Sequence, residues 1–355
     1  MITRRNILMK IENKHYRTVW YDTNTNVVSM INQIKLPFEF EVVQFNTHTE
    51  TAEAIRDMTV RGAGAIGATA GFAMAQAFVE SSDTTIRKQA RITIESTRPT
   101  AMNLFYATQK VFSAGENSIE AAQKMAQEIA DNDAEGCRLI GEFGNTLIQS
   151  NQKILTHCNA GWLAFVDYGS ALSPIYSAFK AGKNPFVYVD ETRPRGQGAR
   201  LTAWELHNNK INHKIIADNA AAFYMAKGEL DMVITGADRI AANGDVANKI
   251  GTLEKAILAK EFGIPFYVAV PFSTVDFSSA SGHAFTIEER SDEELLYHEG
   301  PDENNIIRKI RMASPGSSGL NPAFDVTPFK YITAFITERG IIKPQDLIKY
   351  STSPK

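Results

Sequence analysis

The 355-residue chain is poor in cysteine, nearly balanced in charge and free of long apolar runs. Its two cysteines, Cys137 and Cys158, cannot build a disulfide framework, and a reducing compartment fits them best. The longest apolar runs, such as residues 186–190 and 266–270, have the length of strands and fall far short of a membrane span. Residues 1–10 are basic but lack the apolar stretch of a signal peptide, so the expectation is a cytoplasmic protein. Lys plus Arg number 37 and Asp plus Glu 40, a net charge of -3. That balance argues against a chain-wide grip on nucleic acid and leaves local basic pockets open. A G-x-x-x-x-G-K-[ST] loop, an H-E-x-x-H pair, cysteines at zinc spacing and a G-x-S-x-G elbow are all missing. No metal or cofactor is therefore expected.

What is there is an ordinary globular composition, 44% hydrophobic and 22% charged, at a length that suggests two domains. Strand-like alternation over residues 18–22 and 27–31 flanks a turn at Thr23-Asn24-Thr25-Asn26, and residues 38–45 continue it. Helical spacing then takes over at residues 52–56, 65–80, 86–95, 101–114 and 119–148. Beyond about residue 150, short apolar runs alternate with helical segments. The runs are 154–158, 186–190, 214–217, 232–235 and 266–270; the helical segments are 170–180, 197–206, 220–227 and 249–262. The expected architecture is α/β: a small sheet plus helices over 1–148, then a Rossmann-like domain with a mainly parallel sheet over 149–355. Residues 288–320, acidic at first and then Ser/Pro/Gly-rich, read as a long excursion over an active site or an interface.

In a parallel sheet, chemistry belongs just beyond the carboxyl ends of the strands. One run ends in His157-Cys158-Asn159-Ala160-Gly161, another in Gly236-Ala237-Asp238-Arg239. Cys158 as a thiolate is able to take a proton from carbon, and Asp238 as an acid to give one to oxygen. A helix expected soon after Gly161 would lower the thiol pKa. The plainer alternatives are a buried small hydrophobe for Cys158 and a loop or cap aspartate for Asp238. Arg61-Gly62-Ala63-Gly64-Ala65-Ile66-Gly67 contains G-x-G-x-x-G, but a helix rather than a strand precedes it, so a dinucleotide site fails on context. Two readings remain: an anion site at a helix N-terminus beside Arg61, or a helix packed closely through small residues. Arg98, Gln197 and Asn248-Lys249, the last pair following a turn at Asn243-Gly244 and opening a helix, are candidate partners for the same anion.

These segments resemble one family in order and in detail. They are Val60-Arg61-Gly62-Ala63, Ser96-Thr97-Arg98-Pro99-Thr100, residues 155–161, Asp190-Glu191-Thr192-Arg193-Pro194, residues 197–206, Gly236-Ala237-Asp238-Arg239-Ile240, and residues 243–251 and 321–328. The family is the methylthioribose-1-phosphate isomerases of methionine salvage. It belongs to a wider group with 5-deoxyribose-1-phosphate isomerases, ribose-1,5-bisphosphate isomerases and the regulatory subunits of eIF2B. The resemblance implies an aldose–ketose isomerase of a sugar phosphate, usually a homodimer, with catalytic Cys158 and Asp238. It implies substrate contacts from Arg61, Gly62, Ala63, Arg98, Gln197, Asn248 and Lys249. Gly64 stands where the family has proline, Trp162 and residues 165–167 are bulkier than usual, and Arg195-Gly196 replaces an apolar pair. Those departures bear on the 5-substituent of the substrate. Arg195 is the candidate for a second anion site, which ribose 1,5-bisphosphate would require. A non-catalytic eIF2B-like binding role is the alternative of a different class.

Overall fold

The computed structural model describes residues 10–12, 14–99 and 101–351. The basic stretch 1–9 and Thr100 lie outside the described residues. Val19–Asp22 and Val27–Ile31 form the expected hairpin, and Val42–Phe45 adds a third antiparallel strand. The third strand is shorter than the expected 38–45. Phe38 and Glu39 both donate to the Lys35 carbonyl, which turns the chain, and Pro37 has no N–H to offer a ladder.

Five helices follow: His48–Arg56, Ala63–Glu80, Thr84–Glu95, Met102–Gly115 and Ile119–Asn145. Local chemistry starts several of them. Thr47 and Glu50 form a capping box, Asp83 accepts from Thr85 N–H, and Ser118 accepts from Ala121 N–H. Ala63–Glu80 is buried continuously from Gly64 to Phe78 because it runs between the helices Met102–Gly115 and Ile119–Asn145. Its small residues make that possible. A Cβ on Gly64 would lie 2.2 Å from Asp133 Oδ1, and one on Gly67 3.0 Å from Asn103 Cβ. The close-packing reading of the glycine run therefore holds along the helix.

The second half is built on a seven-stranded sheet. Across it the order is Gly340–Ile342, Ala334–Thr337, Phe266–Ala269, Met232–Thr235, Lys153–Thr156, Phe186–Asp190, His213–Ile216. Every pairing is parallel except that of the edge strand Gly340–Ile342. The chain leaves the central Lys153–Thr156 to one side and returns to its other side at Met232–Thr235. Between these two strands lies the point where the winding reverses.

Two expectations fail here. No α-helix begins after Gly161; a single 3-10 turn, Trp162–Ala164, is followed by loop until Ser173–Lys180. The backbone there is claimed from outside: Glu205 accepts from Trp162 and Leu163 N–H, and Asp133 from Val166 N–H. The chain then doubles back at Gly169, and Ser170 N–H donates to the Ala160 carbonyl. The helix-dipole argument for Cys158 thus falls away. Second, Asn248 and Lys249 do not open a helix. They end a strand, Val246–Lys249, that pairs with Arg239–Ala241 across the Asn243-Gly244 turn and with Phe324–Thr327 on its other side. With Val275–Asp276 these make a second, four-stranded sheet. The helix starts at Thr252. Residues 288–320 hold a short helix, Glu293–Leu296, and an antiparallel hairpin, Tyr297–Pro301 with Ile307–Arg311.

Candidate active site

Cys158 and Asp238 follow the two central strands of the large sheet and line one cavity of about 440 Å³. Arg61, Gly62, Ala63, Arg98, Gln197, Asn248 and Lys249 line the same cavity. All nine residues singled out from sequence are thereby brought together.

The loop that carries Cys158 is held at every turn. Cys158 has a left-handed backbone, φ 64°, an uncommon state for a residue with a side chain. Its N–H donates to Thr192 Oγ1 at 2.8 Å, and its carbonyl accepts from Thr202 Oγ1 at 2.7 Å. Asn159 Nδ2 donates to Glu205 Oε1 at 2.8 Å, and Tyr176 Oη to Glu205 Oε2 at 2.7 Å. Glu205 thus gathers four donors at a fully buried site. Burial still pushes its pKa up to about 7 against those hydrogen bonds.

Below the loop sits an ionic cluster. His157 Nε2 meets the Ile250 carbonyl at 2.8 Å and so must carry a proton, while Nδ1 faces Asp190 Oδ2 at 3.0 Å. His157, Asp190 and Asp218 have spacing that would suit a metal ion. The space already holds a cation of the chain's own. Lys255 Nζ, fully buried, lies 3.5 Å from Asp190 Oδ2 and donates to the Asp218 carbonyl at 2.7 Å.

The opposite wall comes from the helical half. Arg61 donates to Asn159 Oδ1 at 2.6 Å and to the Asn159 carbonyl at 3.0 Å, which ties the two halves together at the site. Gly62 has φ 94°, and a Cβ there would lie 2.4 Å from the Ala164 backbone. The helix that starts at Ala63 has no side-chain cap, so its first N–H groups are open to an anion. Both readings of the glycine run therefore apply, one to its end and the other to its length. Arg98 reaches in with a buried Nη1 that has no hydrogen-bond partner, and from the second half of the chain, which also carries Lys249, Gln197 presents a buried Oε1 in the same condition. Lys249 is buried, donates to the Ala323 carbonyl at 2.8 Å and sits 4.6 Å from the Phe324 ring centroid. Burial lowers the pKa of both Arg98 and Lys249; the negative charge available at Cys158 opposes this at Lys249.

Asp238 opens onto the cavity, so solvent touches its carboxyl, yet it lies deep in the protein. Burial raises its pKa, against the pull of Lys249, Arg61, Arg290 and Arg98. Several lining residues were not found from sequence. Met58, Met102, Phe285 and Arg290 also face the cavity. Arg290 lies inside the acidic segment read as an excursion, so its neighbours concealed it. Arg195, the candidate for a second anion site, lines the same cavity, with its Nη1 2.7 Å from Met58 Sδ and 3.2 Å from Glu294 Oε1.

The profile of the Initiation factor 2 subunit family matches residues 59–344. The methylthioribose-1-phosphate isomerase of Sinorhizobium medicae is 45% identical over 348 residues, 94% of this chain and 96% of that protein. Among solved structures, the 5-methylthioribose 1-phosphate isomerase from Pyrococcus horikoshii OT3 superposes with a TM-score of 0.84 at 44% identity, covering 95% of each chain. The translation initiation factor eIF-2B, subunit delta, from A. fulgidus superposes at 0.81 with 37% identity, covering 94% of this chain and 99% of that one.

Proposed function

Because the chain belongs to the Initiation factor 2 subunit family and, within it, to the methylthioribose-1-phosphate isomerases, we propose that it converts 5-methylthioribose 1-phosphate to 5-methylthioribulose 1-phosphate. The observation that carries this is the single cavity into which neighbouring strand ends deliver a thiol and a carboxyl, ringed by cations.

A ribose phosphorylated on its anomeric oxygen has no free aldehyde. Ring opening must break the bond from C1 to the ring oxygen while C1 keeps its phosphate. Asp238, protonated, gives its proton to that oxygen. The Cys158 thiolate takes the C2 proton from the cationic intermediate and leaves an enol phosphate. Return of a proton to C1 and loss of the C2 hydroxyl proton yield the ketose and restore Asp238. Substrate that displaces cavity water and cancels the surrounding cations favours the neutral carboxyl that the first step needs. Arg61, Arg98, Lys249 and the open helix N-terminus at Gly62-Ala63 take the phosphate, and Gln197 and Asn248 the sugar hydroxyls.

Met58, Ile66, Met102, Phe165 and Phe285 give the cavity an apolar side that suits an uncharged 5-substituent. That holds for 5-deoxyribose 1-phosphate as well. NMR of the purified protein with each sugar, beside Cys158→Ala, decides between them. A clear preference for the thioether sugar is expected. Comparable use of the deoxy sugar would recast the protein as a 5-deoxypentose enzyme. No ketose phosphate from either would return it to the eIF2B-like binding class.

The division into residues 1–148 and 149–355 assigns Arg61 and Arg98 to the first domain and the reacting pair to the second. No helix among the described residues is long and apolar enough to cross a membrane, and both cysteines are free, which suits a cytoplasmic enzyme. A homodimer would cover Phe223 and Ile257, exposed on the adjoining helices Ala221–Ala226 and Thr252–Glu261, and Phe262 just past the end of the second. Sedimentation velocity should give twice the chain mass; a monomer would refute the dimer.

A further inference from the structure

We propose that Arg290 is a further substrate-binding residue, whose guanidinium takes the substrate phosphate together with Arg98 and Lys249. The proposal rests on the sugar-phosphate reading above. Arg290 lies within the acidic segment that begins the excursion, yet its backbone is fixed there. Its N–H donates to the Asn321 carbonyl at 3.0 Å, and the Ala323 N–H donates to the Glu288 carbonyl at 2.8 Å. These bonds tie it to the stretch that leads into Phe324–Thr327, the strand paired with Asn248 and Lys249. The segment is thus a wall of the site and not a loose cover.

The side chain is only 11% exposed and faces the cavity. Nε donates to Glu288 Oε1 at 3.1 Å, which sets the plane of the fork. Nη1 is 3.9 Å from Glu294 Oε1, beyond hydrogen-bonding distance. Glu294 is engaged instead by Arg195 at 3.2 Å. The far side of the fork is left for something else. It lines the same cavity as Arg98, Arg195, Lys249 and Asp238, and its charge is felt at each of them. Crowding that many cations around one cavity is unfavourable until an anion enters. Two oxygens of a phosphate dianion accept the pair of parallel N–H bonds that a planar guanidinium offers.

The experiment uses the full-length protein. Inorganic phosphate is titrated by calorimetry and as a competitive inhibitor, against wild type, Arg290→Gln and Arg290→Lys. With Arg290→Gln, phosphate Kd and substrate KM should rise about tenfold or more, as expected for loss of a charge-assisted contact, with kcat falling less. Arg290→Lys should recover part of the phosphate affinity. A residue that merely braced Glu288 would alter the melting temperature and leave the phosphate affinity unchanged. Phosphate Kd and KM within about twofold of wild type in Arg290→Gln would overturn the proposal. If that variant does not fold, an unchanged phosphate Kd in Arg290→Lys overturns it equally, because lysine lacks the fork. Wild type that turns over substrate while both variants bind phosphate normally sinks Arg290 alone. Wild type that neither reacts nor binds phosphate sinks the sugar-phosphate reading, and Arg290 with it.

Discussion

The two sides of the cavity differ in how completely their polar groups are used. Beneath Cys158, Glu205 has four donors, Thr192 and Thr202 clamp the cysteine's own backbone, and both nitrogens of His157 are engaged. On the cavity wall, Arg98 Nη1 from the helical half and Gln197 Oε1 from the second half are buried with no partner. Satisfied buried networks hold a geometry; unsatisfied buried groups store a demand that a ligand can meet. The network beneath Cys158, in which Asp190 Oδ1 and Trp162 Nε1 are the atoms left over, is a mount for the reacting groups, and the unpartnered groups that line the cavity are a receptor.

The largest effect should come from the groups the mount presents. Cys158→Ala and Asp238→Asn should each lower turnover by about 10²–10⁴ while the melting temperature stays near wild type. Steady-state rates and a thermal melt check both halves of that statement, and near-normal turnover in either variant would remove that residue from the chemistry. Next comes the mount itself. Glu205→Ala strands Trp162 N–H, Leu163 N–H, Asn159 and Tyr176, and should cost at least about 3 kcal/mol in denaturant unfolding, since each orphaned buried donor costs about 1–3 kcal/mol. A loss below about 1 kcal/mol would mean that the loop does not depend on this hub.

The same residue gives a pH test. Its pKa is near 7 in the folded protein and near 4.5 otherwise, so the folded state binds the extra proton between those values. That contribution is complete below about pH 4.5 and is lost as pH rises through 7. Wild-type stability should therefore fall relative to Glu205→Gln across that window; parallel curves would contradict the assignment. The smallest effect belongs to the receptor side. Gly62→Ala places a methyl 2.4 Å from the Ala164 backbone. It should cost about 1–3 kcal/mol of stability and raise KM more than it lowers kcat, because it displaces the helix start and not the reacting pair.

The large sheet was easy to read because its strands are buried on both faces. Residues 186–190 and 232–235 are continuous apolar runs, and the strands occupy those same residues. Cys158 and Asp238 were legible for the same reason, as polar residues at the ends of such runs. The second sheet was not legible. Val246–Lys249 takes its register from Phe324–Thr327, some 75 residues on, and Arg239–Ala241 is only three residues long. Asn243-Gly244 was recognised as a turn, but what it joined depended on that distant partner. The stretch after Gly161 reads as helix because nothing local in it reveals that Glu205 and Asp133 capture its N–H groups. Arg290 is not legible because a single arginine among acids looks like a solvated ion pair, and the bonds that fix its backbone come from Asn321 and Ala323, some 30 residues on.

One consequence follows from the pairing of Lys153–Thr156 with Met232–Thr235, where Leu155 stands opposite Val233. The thiol and the acid sit in the loops just beyond two neighbouring strands of one sheet, and the Asp238 N–H is held by the Ala247 carbonyl of the second sheet, so both reacting groups are carried by the same half of the chain. Arg61 and Arg98 ride on the other half. The phosphate grip, by contrast, is shared between the halves, Arg61 and Arg98 on one and Lys249 on the other, so a change in how the halves meet would reach the grip before it reached the base and acid, much as a vice can be opened without disturbing the tool clamped to its bench.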